Sequence, residues 1–317
     1  MNMLKLAFRG LTRNLRRSLV TFLAISFGFA AIALFAGYTH NVYDGLARQS
    51  IHAELVGHLT ISKRGMRTEG KLDPERYLLS GADVEKITGL LRNEPHVKMV
   101  SPRLGVTGIV SNGRASTIFI AEGMTPEAMA KLQENMFTQA EIRSGLGNVF
   151  LKKLDPAHPE QVLFSQGLAD MLRLKKGQVT PVLTNTLSGQ ANALDVNVSG
   201  LFQTGNAGTN DKFIFMPLEL AQSLYDVKGG ADRMTVLLDD RGHTTAVAAQ
   251  LRDKLKASGF DVEIRTWQEV SDFYNQVHDM FDMIFGFIFM IVLIVVIMSV
   301  ANSMGMTVIE RTREIGT

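Results

Sequence analysis

Seven histidines, a serine in "LFSQG" and a lysine pair beside a glycine could do metal, acyl-transfer or phosphate chemistry, but their spacing supports none of it. His52 and His58 are the closest histidine pair, and neither stands in a ligand spacing such as H-E-x-x-H. Ser165 lacks the first glycine of a nucleophile elbow, and its surroundings suit a helix cap better. Lys175 and Lys176 precede Gly177, the wrong order for the phosphate-cradling loop G-x-x-x-x-G-K-[ST], so ATP is not bound that way. "NVSG" at Asn197 matches a glycosylation sequon, which chance explains. Basic residues are not interleaved with aromatics outside the N-terminal segment, so nucleic-acid binding has no support. No catalytic residue, metal or cofactor is expected. The remaining candidate is charge at "ERTREIGT": Glu310, Arg311, Arg313 and Glu314 alternate acid and base. Arginines alone would serve as membrane anchors. Alternating signs exceed that need and favour a docking surface for a charged partner.

Two apolar runs must position these groups. Ser18 to Tyr43 and Met283 to Ile309 contain no Asp, Glu, Lys, Arg or Pro. Each exceeds the roughly 20 residues a helix needs to cross a bilayer. A basic start followed by an apolar run also describes a signal peptide. This run is longer than the usual ~7–15 residues, and no small-x-small cleavage site stands out, so an uncleaved anchor is expected. His40 and Asn302 lie near span ends within reach of interfacial water, and neither needs a proton-relay role. Small residues, among them Gly28, Ala31, Ala301 and Gly305, permit close helix contact in lipid.

Residues 1–17 carry Lys5, Arg9, Arg13, Arg16 and Arg17 and no acid. This predicts a cytoplasmic start and an amphipathic helix facing anionic headgroups, with Leu4, Phe8, Leu11 and Leu15 on its apolar side. The intervening ~240 residues then lie outside, in the periplasm or its equivalent. The absence of cysteine is compatible with that and decides little.

The outside region alternates short strands and helices, an α+β pattern suggesting two lobes. "HLTISK" reads as a strand. "GADVEKITGLLRNEP" reads as a helix with Val84, Ile87, Leu90 and Leu91 on one face. Asn112-Gly113 signals a hairpin. Thr125, Pro126 and Glu127 open a helix, and "EQVLFSQGLADMLRLKKGQVTPVL" reads as helix, glycine turn and strand. Pro217 opens another helix, and "FDVEIRTW" is the last strand. Trp267, Tyr274 and Phe281 lie seven apart with Val270 and Val277 between them. This predicts a stalk helix running unbroken into the second span. Its seam faces either a coiled-coil partner or a neighbour such as Tyr38, Val42 and Leu46. The expected division is 1–17 cytoplasmic interfacial helix, 18–42 first span, 43–265 extracytoplasmic domain, 266–280 stalk, 281–309 second span and 310–317 cytoplasmic segment.

Four stretches resemble the FtsX/MacB/LolC-type permeases of ABC transporters: "LKLAFRGLTRNLRRSLVTFLAI", "GHLTISKRG", "VLFSQGLADMLRLKKGQVTPVLT" and "ANSMGMTVIERTREIGT". The third departs from the family's G-x-x-L-A-x-x-L-x-x-x-x-G-D at Ser165-Gln166-Gly167 and at Gln178. The resemblance implies a MacB-like periplasmic core domain, a porter-like lobe plus an inserted lobe, flanked by two transmembrane helices in the inner membrane. It implies a separate ATPase docking at Glu310, Arg311, Arg313 and Glu314, a second permease subunit, and outward transmission of the ATP cycle as movement. Such permeases usually have four spans, so the chain is expected to be a truncated or split permease, or a fragment. "GHLTI" leans toward lipoprotein release. An exporter working with a periplasmic adaptor, a signalling permease controlling a cell-wall hydrolase and a membrane-anchored binding domain are the rival expectations.

Overall fold

The computed structural model describes residues 15–70, 72–134, 136, 153–204 and 207–315. They divide into two compact units, one holding the two long helices and the other spanning Arg48–Asp272.

In the first unit, α1 (Leu15–Arg48) and the long helix Asp272–Ile315 run antiparallel. Gly28 lies against Val292, Phe35 stacks on Phe285, and Phe281 meets Phe35, Tyr38 and Tyr43. Tyr43 also stacks on His278 and donates to Asp282 at 3.1 Å. Phe27, Phe29, Leu34, Met283 and Met298 stay exposed, as lipid-facing side chains would. Both helices are long and apolar enough to cross a membrane.

The second unit begins with a π-helical turn, Gln49–Ala53, and then β1 (Leu59–Lys63). After α2 (Pro74–Tyr77) comes α3 (Gly81–Leu91), opened by a Ser80/Asp83 capping box and burying Val84, Ile87 and Leu91. β2 (Val97–Ser111) and β3 (Ser116–Met124) form a hairpin. At its turn Gly113 has φ +84°, and the Asn112 carboxamide accepts from the amides of Arg114 and Ala115. Thr125 caps α4 (Pro126–Gln133). Then follow β4 (Gln161–Ser165), α5 (Gln166–Leu172), β5 (Val179–Asn185), β6 (Ala191–Phe202), α6 (Ala207–Asn210), β7 (Phe213–Pro217), α7 (Leu218–Tyr225) and β8 (Arg233–Leu238). A 3₁₀ turn (Arg241–His243), α8 (Thr244–Ala257), β9 (Val262–Thr266) and α9 (Trp267–Val270) lead to α10, the long helix Asp272–Ile315.

Strand pairing makes two lobes from one long strand. Val97–Arg103 of β2 pairs with β8 in an antiparallel sheet ordered β2-β8-β1-β9. Helices α3 and α8 bury Ile87, Leu91, Leu251 and Leu255 in its core. Leu104–Ser111 of the same strand pairs with β3, and Ile109 and Val110 also pair with β5. The order β3-β7-β4-β6-β5-β2, with β2 also bonded to β3, is a closed ring of six strands. Closure removes free sheet edges and leaves the interior to side chains, here Val106, Phe119, Phe164, Val182, Val198 and Ile214.

Three local readings of the sequence differ from this fold. Residues 161–165, expected in a helix, are strand β4; the three apolar residues Val162–Phe164 are too few to set a period, and the ring claims them. Ser165 stands at the start of α5, but its hydroxyl makes no cap there and accepts the Phe213 amide at 3.1 Å. The stalk helix does not run unbroken from Trp267. A Thr266/Glu269 capping box starts α9, Ser271 turns extended (φ −85°, ψ +94°), and α10 starts afresh at Asp272. The seven-residue step from Trp267 to Tyr274 therefore crosses a break, and the two residues share no helix face.

Candidate functional site

Glu310, Arg311, Arg313 and Glu314 fall on the last turns of α10, with their side chains outside the described set; Arg16 and Arg17 likewise fall on the first turns of α1. Lys5, Arg9 and Arg13 lie outside the described residues. Tyr274, Val277 and Phe281 form a half-buried stripe on α10, and the first and last meet Tyr43. Trp267 is buried within the extracytoplasmic unit, and Val270 is half-buried there.

In that unit the chain's incoming and outgoing segments are fastened together. Ser50 Oγ and Ser271 Oγ are 2.9 Å apart in a buried contact, and the Trp267 amide donates to the His58 carbonyl at 3.0 Å. His52 Nδ1 lies 2.7 Å from the Leu132 carbonyl at the end of α4. His58 Nδ1 accepts the Leu238 amide at 3.1 Å, so that nitrogen carries no proton and the ring is neutral. The closest histidine pair of the sequence is thus a pair of core fasteners, with rings 6.1 Å apart and edge-on.

Burial, with His52 nearby as a smaller cause, lowers the His58 pKa to about 4. The unfolded ring titrates near 6.5. Between those values the unfolded chain binds the extra proton, so acidification withdraws stability. We expect His58 to account for a loss on the order of 3 kcal/mol as pH falls from about 6.5 to 4. Urea midpoints at pH 7 and pH 4.5 check this: the wild type should show a steeper decline than His58→Gln. Equal declines would mean His58 is not the titrating group.

One further fastener reaches the junction of the lobes. Arg103 stands on β2 where the strand leaves the open sheet for the ring, and it is 4% exposed. It donates to the Leu55 carbonyl of the incoming segment and, at 3.4 Å, to Glu122 of β3. Glu122 also receives Arg233 from β8. Arg233 Nη1 reaches Asp232 at 2.7 Å, and the Gly105 amide donates to Asp232 at 3.0 Å. Two guanidinium groups and two carboxylates thus balance in a buried network. Burial pulls the Arg103 pKa down to about 10. Burial also opposes the Arg233 charge, but Asp232 and Glu122 outweigh it and hold that pKa above the usual value. Beside the junction is a cleft of about 430 Å³, walled by Pro102, Pro126 and Pro217 and edged by Glu85, Glu127 and Glu219.

This network was not legible in the sequence. Arg103 and Arg233 are separated by more than a hundred residues, and no local pattern marks either. The surviving local signal was Glu122, an acid inside an apolar strand.

A two-lobed α+β domain between two bilayer-length helices is the architecture of a membrane-anchored extracytoplasmic domain. The chain belongs to the MacB-like periplasmic core domain family, whose model matches residues 18–254, and this makes it a permease of the FtsX/MacB type. Among solved structures it is similar to the periplasmic region of MacB from Actinobacillus actinomycetemcomitans (12% identity, TM-score 0.44, covering 70% of this chain and 92% of that one). It is also similar to the extracellular domain of the noncanonic ABC-type transporter YknZ from Gram-positive bacteria (13%, 0.41, 66% and 100%). No curated protein matches the chain.

Proposed function

We propose that the chain is a non-ATPase permease subunit of an ABC transporter in the inner membrane, one that transmits ATP-driven motion outward to release lipoproteins. A separate ATPase docks at Glu310, Arg311, Arg313 and Glu314, and a second permease completes the unit. Lys5, Arg9, Arg13, Arg16 and Arg17 hold the cytoplasmic interface through anionic headgroups. A lipoprotein or a periplasmic adaptor meets the extracytoplasmic domain.

The observation that carries this reading is the fastening of the incoming and outgoing segments at Ser50–Ser271 and His58–Trp267, with Arg103 tying Leu55 to the lobe junction. A displacement of either segment is thereby delivered to the junction, because packed, hydrogen-bonded elements move as units. No pore through the permease is needed for such work.

The test reconstitutes the full-length permease with its ATPase in vesicles carrying a lipoprotein. We expect ATP-dependent lipoprotein release from the wild type. Arg311→Ala with Glu314→Ala should lower co-purified ATPase at least about tenfold, the effect of losing roughly 1.4 kcal/mol of interface energy. Unchanged co-purification and ATPase stimulation would remove the docking role. Docking without lipoprotein release would remove the cargo assignment.

A further inference from the structure

His96 and the near neighbours Asp239 and His243 form a second polar constellation, brought together by the open sheet. Their potential ligand atoms all lie within 4.8 Å of one another. His96 immediately precedes β2 and Asp239 immediately follows β8; the two strands pair through Val97 and Leu238. The Asp239 amide donates to the His96 carbonyl at 2.9 Å, which closes the end of the ladder. His243 ends the 3₁₀ turn that leads into α8. His96 adopts φ +68°, a left-handed conformation that a residue with a Cβ rarely takes, and this aims its ring across the strand end.

The rings of His96 and His243 lie 3.8 Å apart, and their Nδ1 atoms face different oxygens of one carboxylate, at 2.9 and 3.0 Å. The set is two imidazole nitrogens and one carboxylate. Asp240 is next in the chain, but its own oxygen is engaged by the Gly242 amide at 2.6 Å, so it shapes the turn.

We propose that His96 Nδ1, Asp239 and His243 Nδ1 bind a divalent transition-metal cation of the zinc class. Two nitrogens and one carboxylate oxygen suit zinc, nickel or copper rather than magnesium or calcium, which prefer all-oxygen shells. Three protein ligands leave a coordination position open to water or to a donor from a partner. The ion would take the place of the hydrogen bonds between the two Nδ1 atoms and the carboxylate, with each ring carrying its proton on Nε2. Its structural consequence is a cross-link between the β2/β8 strand end and the start of α8. The site is independent of the ATPase and lipoprotein assignments.

The test uses the full-length chain in detergent, without a histidine tag, titrated with zinc chloride by calorimetry. Cobalt(II) absorption serves as a second reading of nitrogen ligation. We expect one equivalent of zinc to bind in the micromolar range or tighter, and magnesium to give no signal. His96→Ala with His243→Ala should weaken zinc at least about 100-fold. Asp239→Asn should weaken it too, with apo melting unchanged enough to show the fold intact. His158→Ala, which alters an exposed histidine beside Glu160, should leave affinity unchanged. No binding up to millimolar zinc would overturn the proposal, as would equal affinity in the double variant, since that would locate the ion elsewhere.

Discussion

Glu122→Ala should lower the stability of the extracytoplasmic domain by about 3–5 kcal/mol, the cost of stranding a buried charge by removing its partner. The carboxylate serves Arg103 and Arg233 together, and Asp232 lies beside only the second. Arg103 would keep the Leu55 carbonyl, a dipole in place of a charge. Most of the loss falls on Arg103, because the Arg233 side chain retains 30% exposure and can recruit water. For a unit of this size the melting temperature should fall by about 6–20 °C. Trp267 is the chain's single tryptophan and is buried, so its fluorescence reports the transition. Exposed Glu219→Ala is the control and should change stability by no more than about 0.5 kcal/mol. A fall of under about 2 °C for Glu122→Ala would mean that the network relaxes or admits water and fastens little.

Gly108→Val should be damaging for the opposite reason, too much volume instead of too little charge. A Cβ at Gly108 would sit 2.1 Å from the Leu183 carbonyl oxygen of β5 and 2.8 Å from the Phe119 ring. The ring can shift, but the carbonyl is backbone held by the pairing of Ile109 with Leu183. Relief therefore requires β2 and β5 to part, which opens the six-stranded ring at its seam. Overpacking usually costs about 1–3 kcal/mol, and loss of this seam puts the cost at about 3 kcal/mol or more. Limited proteolysis should then cut β5 or β6 while the open sheet of β1, β8 and β9 stays protected. Gly113→Ala should be milder, since nothing lies within 4 Å of its Cβ and only its φ of +84° resists substitution. Wild-type protease resistance and melting in Gly108→Val would show that the seam is not closed by backbone contact.

These two glycines show how far the residues alone could be read. Gly113 follows Asn112 between apolar strands, and local turn chemistry announces it. Gly108 lies inside a strand five residues earlier with no local mark, because what excludes its side chain is a carbonyl from residue 183. The same division holds along the chain. The Thr125 cap, the Val84–Ile87–Leu91 face and the two uncharged runs are local or periodic, and each was legible. β4 was misread as helix because three apolar residues in a row, Val162–Phe164, carry no period of their own.

What the sequence determined by itself was therefore short-ranged: caps, turns, amphipathic faces, and two stretches too apolar and too long for anything but a bilayer or a core. From these the α+β class and the membrane-flanked plan follow. Only the tertiary structure decided that one long strand serves two lobes and that six strands close on themselves. Only it joined Arg103, Glu122 and Arg233, or His96, Asp239 and His243, and split Trp267 from Tyr274 at Ser271. Hydrogen bonds between strands and pairings of buried charge depend on which segments meet. That is settled by packing across more than a hundred residues, over which local propensity carries no information.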